Sequence, residues 1–444
     1  MAQPSVESQA HSQATARIVR RVTRRLLPIL LLMYILAFLD RSNLGFAKDA
    51  FQADTGISEA AYALGAGIFF LGYAVFEVPS NLIMRRVGAK AWLARIMISW
   101  GIVSALMMFA HNEATFYVLR VLLGITEAGF FPGVILYLTY WIPVQHRARV
   151  NGYFYFGAPL AFILGGPMSG LLLDLDGFGG LHGWQLMFLV TGALTVLIGF
   201  VVIAFLDDGP ADARWLSDED RASLVAALES EDRDKSEHSP RGALRALTSP
   251  VVLFFCLIYC TIQASVYGVS FYLPTQVSAL VGQDVGLRVG LLTAIPWVAA
   301  VVATFLLTRL ADRTGRRREI AAAALAAAGV GMGASVLFES PVLALAGLSI
   351  GAAGFISVQP IFWTLPTSFL IGAAAASGIA LINAVGSLGG FIAPVLKTAV
   401  DERLGDGAGM LVLGGIALLG SVLILLAKRL SRGAVEIAER TAAH

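Results

Sequence analysis

Apolar residues run along this chain in long unbroken blocks, not in the alternation of a half-buried strand. The stretch PILLLMYILAFL at 28–39 is the first such block. A helix needs about 20 apolar residues to cross a hydrocarbon layer ~30 Å thick. Blocks of that length predict spans near 26–47, 61–84, 91–110, 114–140, 150–173, 184–206, 251–279, 288–310, 319–338, 342–364, 371–398 and 408–427. They lack the alternating ~10-residue segments of an outer-membrane barrel, and a backbone in lipid must satisfy its own polar groups. The expectation is an all-α membrane protein of about twelve transmembrane helices, laid up and down by short loops.

The polar interruptions give orientation. Arg17, Arg20, Arg21, Arg24 and Arg25 precede the first span, Arg85, Arg86 and Lys90 follow the second, and Arg147 and Arg149 follow the fourth. Arg309, Arg313, Arg316, Arg317 and Arg318 follow the eighth, whereas the opposite side carries mainly Lys48, Arg288, Lys397 and Arg403. The positive-inside rule then puts both termini in the cytoplasm, in the cell or inner membrane. The longest polar stretch separates spans six and seven, and Ser217 before Asp220 there reads as a helix cap. WLSDEDRASLVAALES is therefore expected to form a short amphipathic helix. The expected organisation is a cytoplasmic segment 1–25, a six-helix bundle 26–206, a cytoplasmic linker 207–249, a second bundle 250–428 and a cytoplasmic tail 429–444. No removable signal peptide is expected from the polar first sixteen residues.

Composition agrees with this class: of 444 residues, 57% are hydrophobic and 14% charged, with mean hydropathy +0.75. A net charge of +2 gives no reason to expect a nucleic-acid partner. Cys256 and Cys260 lie four apart on one helix face without a histidine or acid at ligand spacing, so packing is expected of them and no metal or cofactor. Nucleophile and base constellations are missing too, which argues against an enzyme.

Two landmarks recur at one offset. Gly88 in RRVGAK lies 227 residues before Gly315 in DRTGRR, and Pro167 in GGPMSG lies 227 before Pro394 in GFIAPVL. They fit two pseudo-symmetric halves of six helices, with a binding site between them near the bilayer midplane.

With these features the chain resembles the major facilitator superfamily. LTRLADRTGRR after span eight is similar to that family's signature loop, which implies a conformational lock from Asp312, Arg313, Gly315 and Arg316. The matching first-half loop, NLIMRRVGAK, keeps the glycine and bases but has Arg85 in the acid's place, so the full lock is not expected there. LDRSNLGFA, FLGYAVFEVPSNL, RVLLGITEAGFFPGVI, NGYFYFGAPLAFILGGPMSG and FWTLPTSFLIGAAAASGIALINAVGSLGGF carry a closer resemblance, over nearly the whole chain, to the anion:cation symporter family. That family includes proton-coupled permeases for galactonate, tartrate and phthalate. Ser387 stands where many relatives have Asn. The resemblance implies proton coupling at Asp40 and Glu127, and substrate or coupling contacts at Arg41, Tyr73 and Arg120.

The charges support a related reading without the family. An ionisable residue inside a membrane is a functional candidate by default. At ~1.5 Å per residue Asp40 sits ~21 Å above Leu26, and Arg120, counted in from the other end of span four, reaches the same level. Glu127 is two turns further along that helix, ~10 Å deeper. Arginine keeps its charge when partly buried and grips a carboxylate through two hydrogen bonds, so Arg41 and Arg120 are candidate anion clamps. Carboxylates gain a proton when desolvated and release it beside an arginine, so loading an anion could move protons on and off Asp40 and Glu127. The second half offers Gln263, Tyr267, Tyr272, Trp363, Thr364 and Asn383, groups suited to hydroxyls and ring faces.

Bland readings stand beside these. Asp40 with Arg41, or Arg120 with Glu127, could be structural ion pairs; the tyrosines and tryptophans could be packing or interfacial anchors. Glu77 reads as structural, close enough to the inner interface to reach water. Gly157, Ala161 and Gly165 read as close helix packing that lets the halves rock. The expected function is secondary transport, with proton-coupled uptake of a small organic anion by a monomer in a lipid bilayer. An exporter or proton antiporter of the same fold, and a non-transporting receptor, are the alternatives.

Overall fold

The computed structural model describes residues 6–236, 249–369 and 373–442. Among these, twelve helices are long and apolar enough to cross a membrane. The first six spans are Thr15–Thr55, Glu59–Val87, Ala89–Phe109, Glu113–Thr139, Val144–Asp174 and Gly183–Phe205. The second six are Pro250–Ser270, Leu287–Thr314, Arg317–Leu337, Pro341–Pro366, Gly378–Leu404 and Ala408–Ala427. Helical ends overrun the apolar blocks. The helix of the first span runs from Val6 to Thr55 and that of the last from Ala408 to Ala442, well past any hydrocarbon edge.

Local sequence sets the breaks. Gly129 takes φ +83° and divides span four into Glu113–Glu127 and Phe130–Thr139. A side chain there would also collide with Ser80, since an added Cβ would lie 2.4 Å from its Oγ. Between spans seven and eight the chain turns at Phe271 and Tyr272 into a separate helix, Leu273–Val281, begun by Pro274. The expected span 251–279 is thus a shorter span followed by this helix.

The two repeat landmarks have matching roles. Gly88 and Gly315 end the second and eighth spans at positive φ, +99° and +68°; Pro167 and Pro394 lie inside the fifth and eleventh. The acid missing from the first-half loop comes from elsewhere. Asp208, just after span six, accepts the backbone N–H of Lys90 at 2.9 Å and sits against Gly88. Helix Asp218–Ser236 follows, with the Ser217 hydroxyl accepting the N–H of Asp220 at 3.2 Å. Expected linker residues 237–248 lie outside the described residues.

One apolar core gathers side chains from Ile18 to Leu224 together with Tyr267, Phe271 and Tyr272 of the second half, and the other runs from Val252 to Ala427 and takes in Phe162 of the first. Span two packs on span eleven and span five on span eight, which joins the halves. Their closest approaches lie toward the face remote from the termini. Thr275 donates to Asp49 at 3.0 Å, and the N–H of Leu287 to Asp174 at 2.9 Å. Gly166 and Gly290 are so close that a Cβ on either would lie within 2.3 Å of the other's carbonyl oxygen. This corrects the glycine expectation: Gly157 and Gly165 pack on Tyr34 and Ser42 of span one, inside their own half, and the inter-half contact uses Gly166 and Gly170.

Candidate functional site: a cavity between the halves

Adjacent residues of a helix point ~100° apart, and packing decides which of them faces the gap between the halves. In span one that residue is Arg41. It lines a small cavity of about 60 Å³ walled by Tyr34, Phe38, Phe70, Tyr73 and Tyr155 from the first half, and by Tyr259, Gln263, Tyr267, Gln359, Asn383 and Ser387 from the second. Such a volume holds a few waters, so a larger solute requires the walls to part.

Arg41 is held from both sides. Its Nε donates to Glu127 Oε1 at 2.9 Å and a second guanidinium nitrogen pairs with the same oxygen; Nη1 donates to the Tyr267 hydroxyl at 2.9 Å. The guanidinium also lies over the rings of Phe38, Phe69 and Tyr73, 5.2–5.3 Å from their centroids. Glu127 ends its helical segment at the Gly129 break and is fully buried. Its Oε2 has no hydrogen-bond partner among the described residues.

Asp40 turns away from the cavity. It is buried, accepts from Trp100 Nε1 at 2.6 Å and lies 3.5 Å from Asn43 Nδ2. Asn43 in turn reaches Thr191 and Ser169, so this carboxylate belongs to the interior of the first bundle. Arg120 is also sealed. Its guanidinium donates to the carbonyls of Gly65 and Ala66 in span two, at 2.9 and 3.0 Å. Arg120, expected at the level of Arg41, does not pair beside it, and Glu127 takes that place. Counting from the ends of apolar blocks ignores helices that extend past them, as well as the reach of an arginine side chain.

In the second half, Gln263, Tyr267 and Asn383 reach the cavity, as does Tyr73 in the first. Tyr272, Trp363 and Thr364 do not line it. The Tyr272 hydroxyl is 3.0 Å from Thr398 Oγ1, and Lys397 Nζ sits 4.0 Å from its ring centre. Trp363 packs on Tyr259, ring centroids 4.9 Å apart, and so stands behind the wall. The Thr364 hydroxyl bonds its own helix at the Ile361 carbonyl.

Glu77 departs from its expectation. It is 4% exposed, and its Oε1 accepts from Asn383 Nδ2 of the opposite half at 2.9 Å. Its Oε2, like Glu127 Oε2 and Gln263 Oε1, is buried without a donor among the described residues. Gln263 lines the cavity itself, and Glu127 and Glu77 stand behind it, bonded to its lining residues Arg41 and Asn383. In the loop after span eight, Asp312 pairs with Arg317 at 3.1 Å, both exposed, and not with Arg313 or Arg316. Gly315 caps the helix, its N–H donating to the Ala311 carbonyl.

The sequence reading missed Tyr34, Tyr155, Tyr259 and Gln359. A signal was available, since a hydroxyl or amide within an apolar run requires a partner or a wet surface. No group of three or more potential metal ligands occurs among the described residues.

Residues 30–394 match the profile of the Major Facilitator Superfamily. The chain belongs to that superfamily. It is 49% identical to the inner membrane transport protein RhmT of Escherichia coli (strain K12), over 89% of this chain and 92% of the other. A putative tartrate transporter of Agrobacterium vitis is 42% identical, covering 92% and 91%. A quinolone resistance transporter of Acinetobacter baumannii is 39% identical, covering 89% and 91%. In fold it is similar to a bacterial homologue of the lysosomal transporter Spinster, with a TM-score of 0.73 at 18% identity over 94% of this chain and 97% of that one. These relatives make it a multi-pass membrane transporter of the superfamily.

Proposed function

We propose that this protein carries a small organic anion across the membrane together with protons, exposing the inter-half cavity alternately to either side. The observation that carries the reading is Arg41, a guanidinium at the cavity wall paired with Glu127 of its own half and hydrogen-bonded to Tyr267 of the other. A substrate carboxylate competes with Glu127 for that fork. When the substrate takes Arg41, Glu127 is left as a buried charge without its partner, a costly state that a proton relieves. One anion and one proton then enter together, and for a monoanion no net charge moves.

Tyr73, Gln263, Tyr267 and Asn383 would bind the substrate's hydroxyls and body. Of the two carboxylates implied by resemblance, Glu127 is the one bonded to a cavity-lining residue, Arg41. Asp40 would supply a second proton, which for a monoanion adds a drive of ~2.3 kcal/mol per 100 mV. Arg120 would act by holding span four against span two. Asp312, Gly315 and the bases Arg313, Arg316 and Arg317 would lock the span-eight loop on the cytoplasmic side, with both termini there. The coupling ion is the proton, with no cofactor, and the working unit is a monomer. The names of the tartrate-type relatives favour a hydroxylated carboxylate as substrate.

The test is uptake of a labelled hydroxy acid into proteoliposomes under imposed pH and voltage gradients, with Glu127→Gln alongside. The expected result is accumulation driven by inward protons in the native protein. In E127Q that drive is lost while exchange of one anion for another continues. Accumulation that persists in E127Q overturns the proton assignment. The quinolone-resistance relative supports a second reading, proton-driven export from the same cavity. An outward proton gradient driving uptake would establish it.

A further inference from the structure

A second cavity lies far from the first, where span one enters and span six leaves the membrane on the side carrying the termini. It is an open groove of about 670 Å³ lined by Arg21, Arg24 and Arg25 together with Leu32, Phe205 and Trp215. Two of the arginines are fixed by the linker. Arg21 donates to the Trp215 carbonyl at 3.0 Å and to Asp220 at 3.4 Å. The Arg25 guanidinium lies between two rings, 4.6 Å from the centre of Phe205 and 4.8 Å from that of Trp215. Trp215 is itself anchored, stacked on Trp141 and donating to Asp207 at 2.9 Å.

Charge in this cavity is not balanced. Asp220 is taken by Arg17 and Arg21 and Asp207 by Trp215, whereas Arg24 and Arg25 have no acid partner among the described residues. The Arg25 Nε is buried without an acceptor among the described residues. A guanidinium fixed by two rings, beside a second arginine that also lacks an acid partner among the described residues, suits a multiply acceptor anion such as a phosphate. The other wall decides which phosphate. Leu32 and Val201 are apolar and exposed, and they continue from the arginines directly into the hydrocarbon-facing surface.

We infer that this cavity binds the headgroup of an anionic phospholipid of the leaflet on the terminus side, with its acyl chains against spans one and six. Arg24 and Arg25 hold the phosphate, and Arg21 ties the site to the linker. The bound lipid thereby clamps the linker onto the first half. Polybasic groups next to a membrane span attract anionic lipid in general; here two aromatic rings and the linker add a shaped receptor.

The experiment uses the full chain in detergent, with phosphatidylglycerol, phosphatidylcholine or inorganic phosphate added. Thermal unfolding is followed, and retained lipid is counted by native mass spectrometry. The expected result is a rise in melting temperature and retained lipid with phosphatidylglycerol alone. Arg24→Gln should weaken that response about tenfold, the loss of one or two charge-assisted hydrogen bonds. R24Q leaves the stacked Arg25 in place, so folding is preserved; Arg25→Lys keeps charge while losing the planar fork and should weaken the response similarly. Equal effects of phosphatidylcholine, equal effects of inorganic phosphate, or an unchanged response in both variants would each overturn the inference.

Discussion

Arg41 and Arg120 show how little a residue's type says about its work. Both are arginines in apolar spans, but one faces a cavity and the other spends its donors on two backbone carbonyls. Arg41→Lys keeps the charge and loses the fork. It should weaken binding of a carboxylate ligand about tenfold to a hundredfold, read as a smaller ligand-induced rise in melting temperature. Arg120→Lys should lower the melting temperature of the free protein by several degrees and leave ligand affinity of the folded fraction within about twofold. Asp40→Asn probes the neighbouring carboxylate, which accepts from Trp100 in the bundle interior. The amide oxygen preserves that bond, so the fold survives, and the voltage dependence of uptake reads whether a second proton is lost.

Two kinds of chain irregularity place the site at the scale of elements. The Gly129 break ends the helix at Glu127, and the approach of Gly166 to Gly290 lets span five touch span eight through backbone alone. Gly290→Val puts a branched side chain where a single Cβ already lies 2.1 Å from a carbonyl oxygen. It should hold the halves apart on the face remote from the termini, lengthening spin-label distances between spans five and eight and abolishing transport. Span existence and order are legible from the apolar blocks, because a hydrocarbon layer imposes length and apolarity on any helix that crosses it. The division of spans four and seven is not, since a glycine or proline in an apolar run is equally compatible with a continuous helix. The repeat of Gly88 and Gly315 was legible because positive φ leaves glycine as the favoured residue at both turns.

At the scale of the molecule, the two halves meet through a small number of polar contacts around the cavity: Arg41 with Tyr267, and Glu77 with Asn383. Breaking such a contact leaves a buried group unpaired. Asn383→Leu strands the Glu77 carboxylate. It should shift the balance between closed and open arrangements of spans two and eleven by about 1–3 kcal/mol, visible as a redistribution of spin-label distances. Glu77→Gln in the same background should restore part of the closed population, because a neutral amide is cheaper to leave unpaired than a carboxylate. Spans, their order, the two-half plan and a set of intramembrane charges follow from the sequence alone, because the bilayer dictates apolar length and makes each buried charge conspicuous. Which charges meet was decided only by tertiary structure. The rotation of each helix about its axis is fixed by packing with its neighbours, and that rotation sends Asp40 into the bundle, Arg41 into the cavity and Glu77 across to the other half.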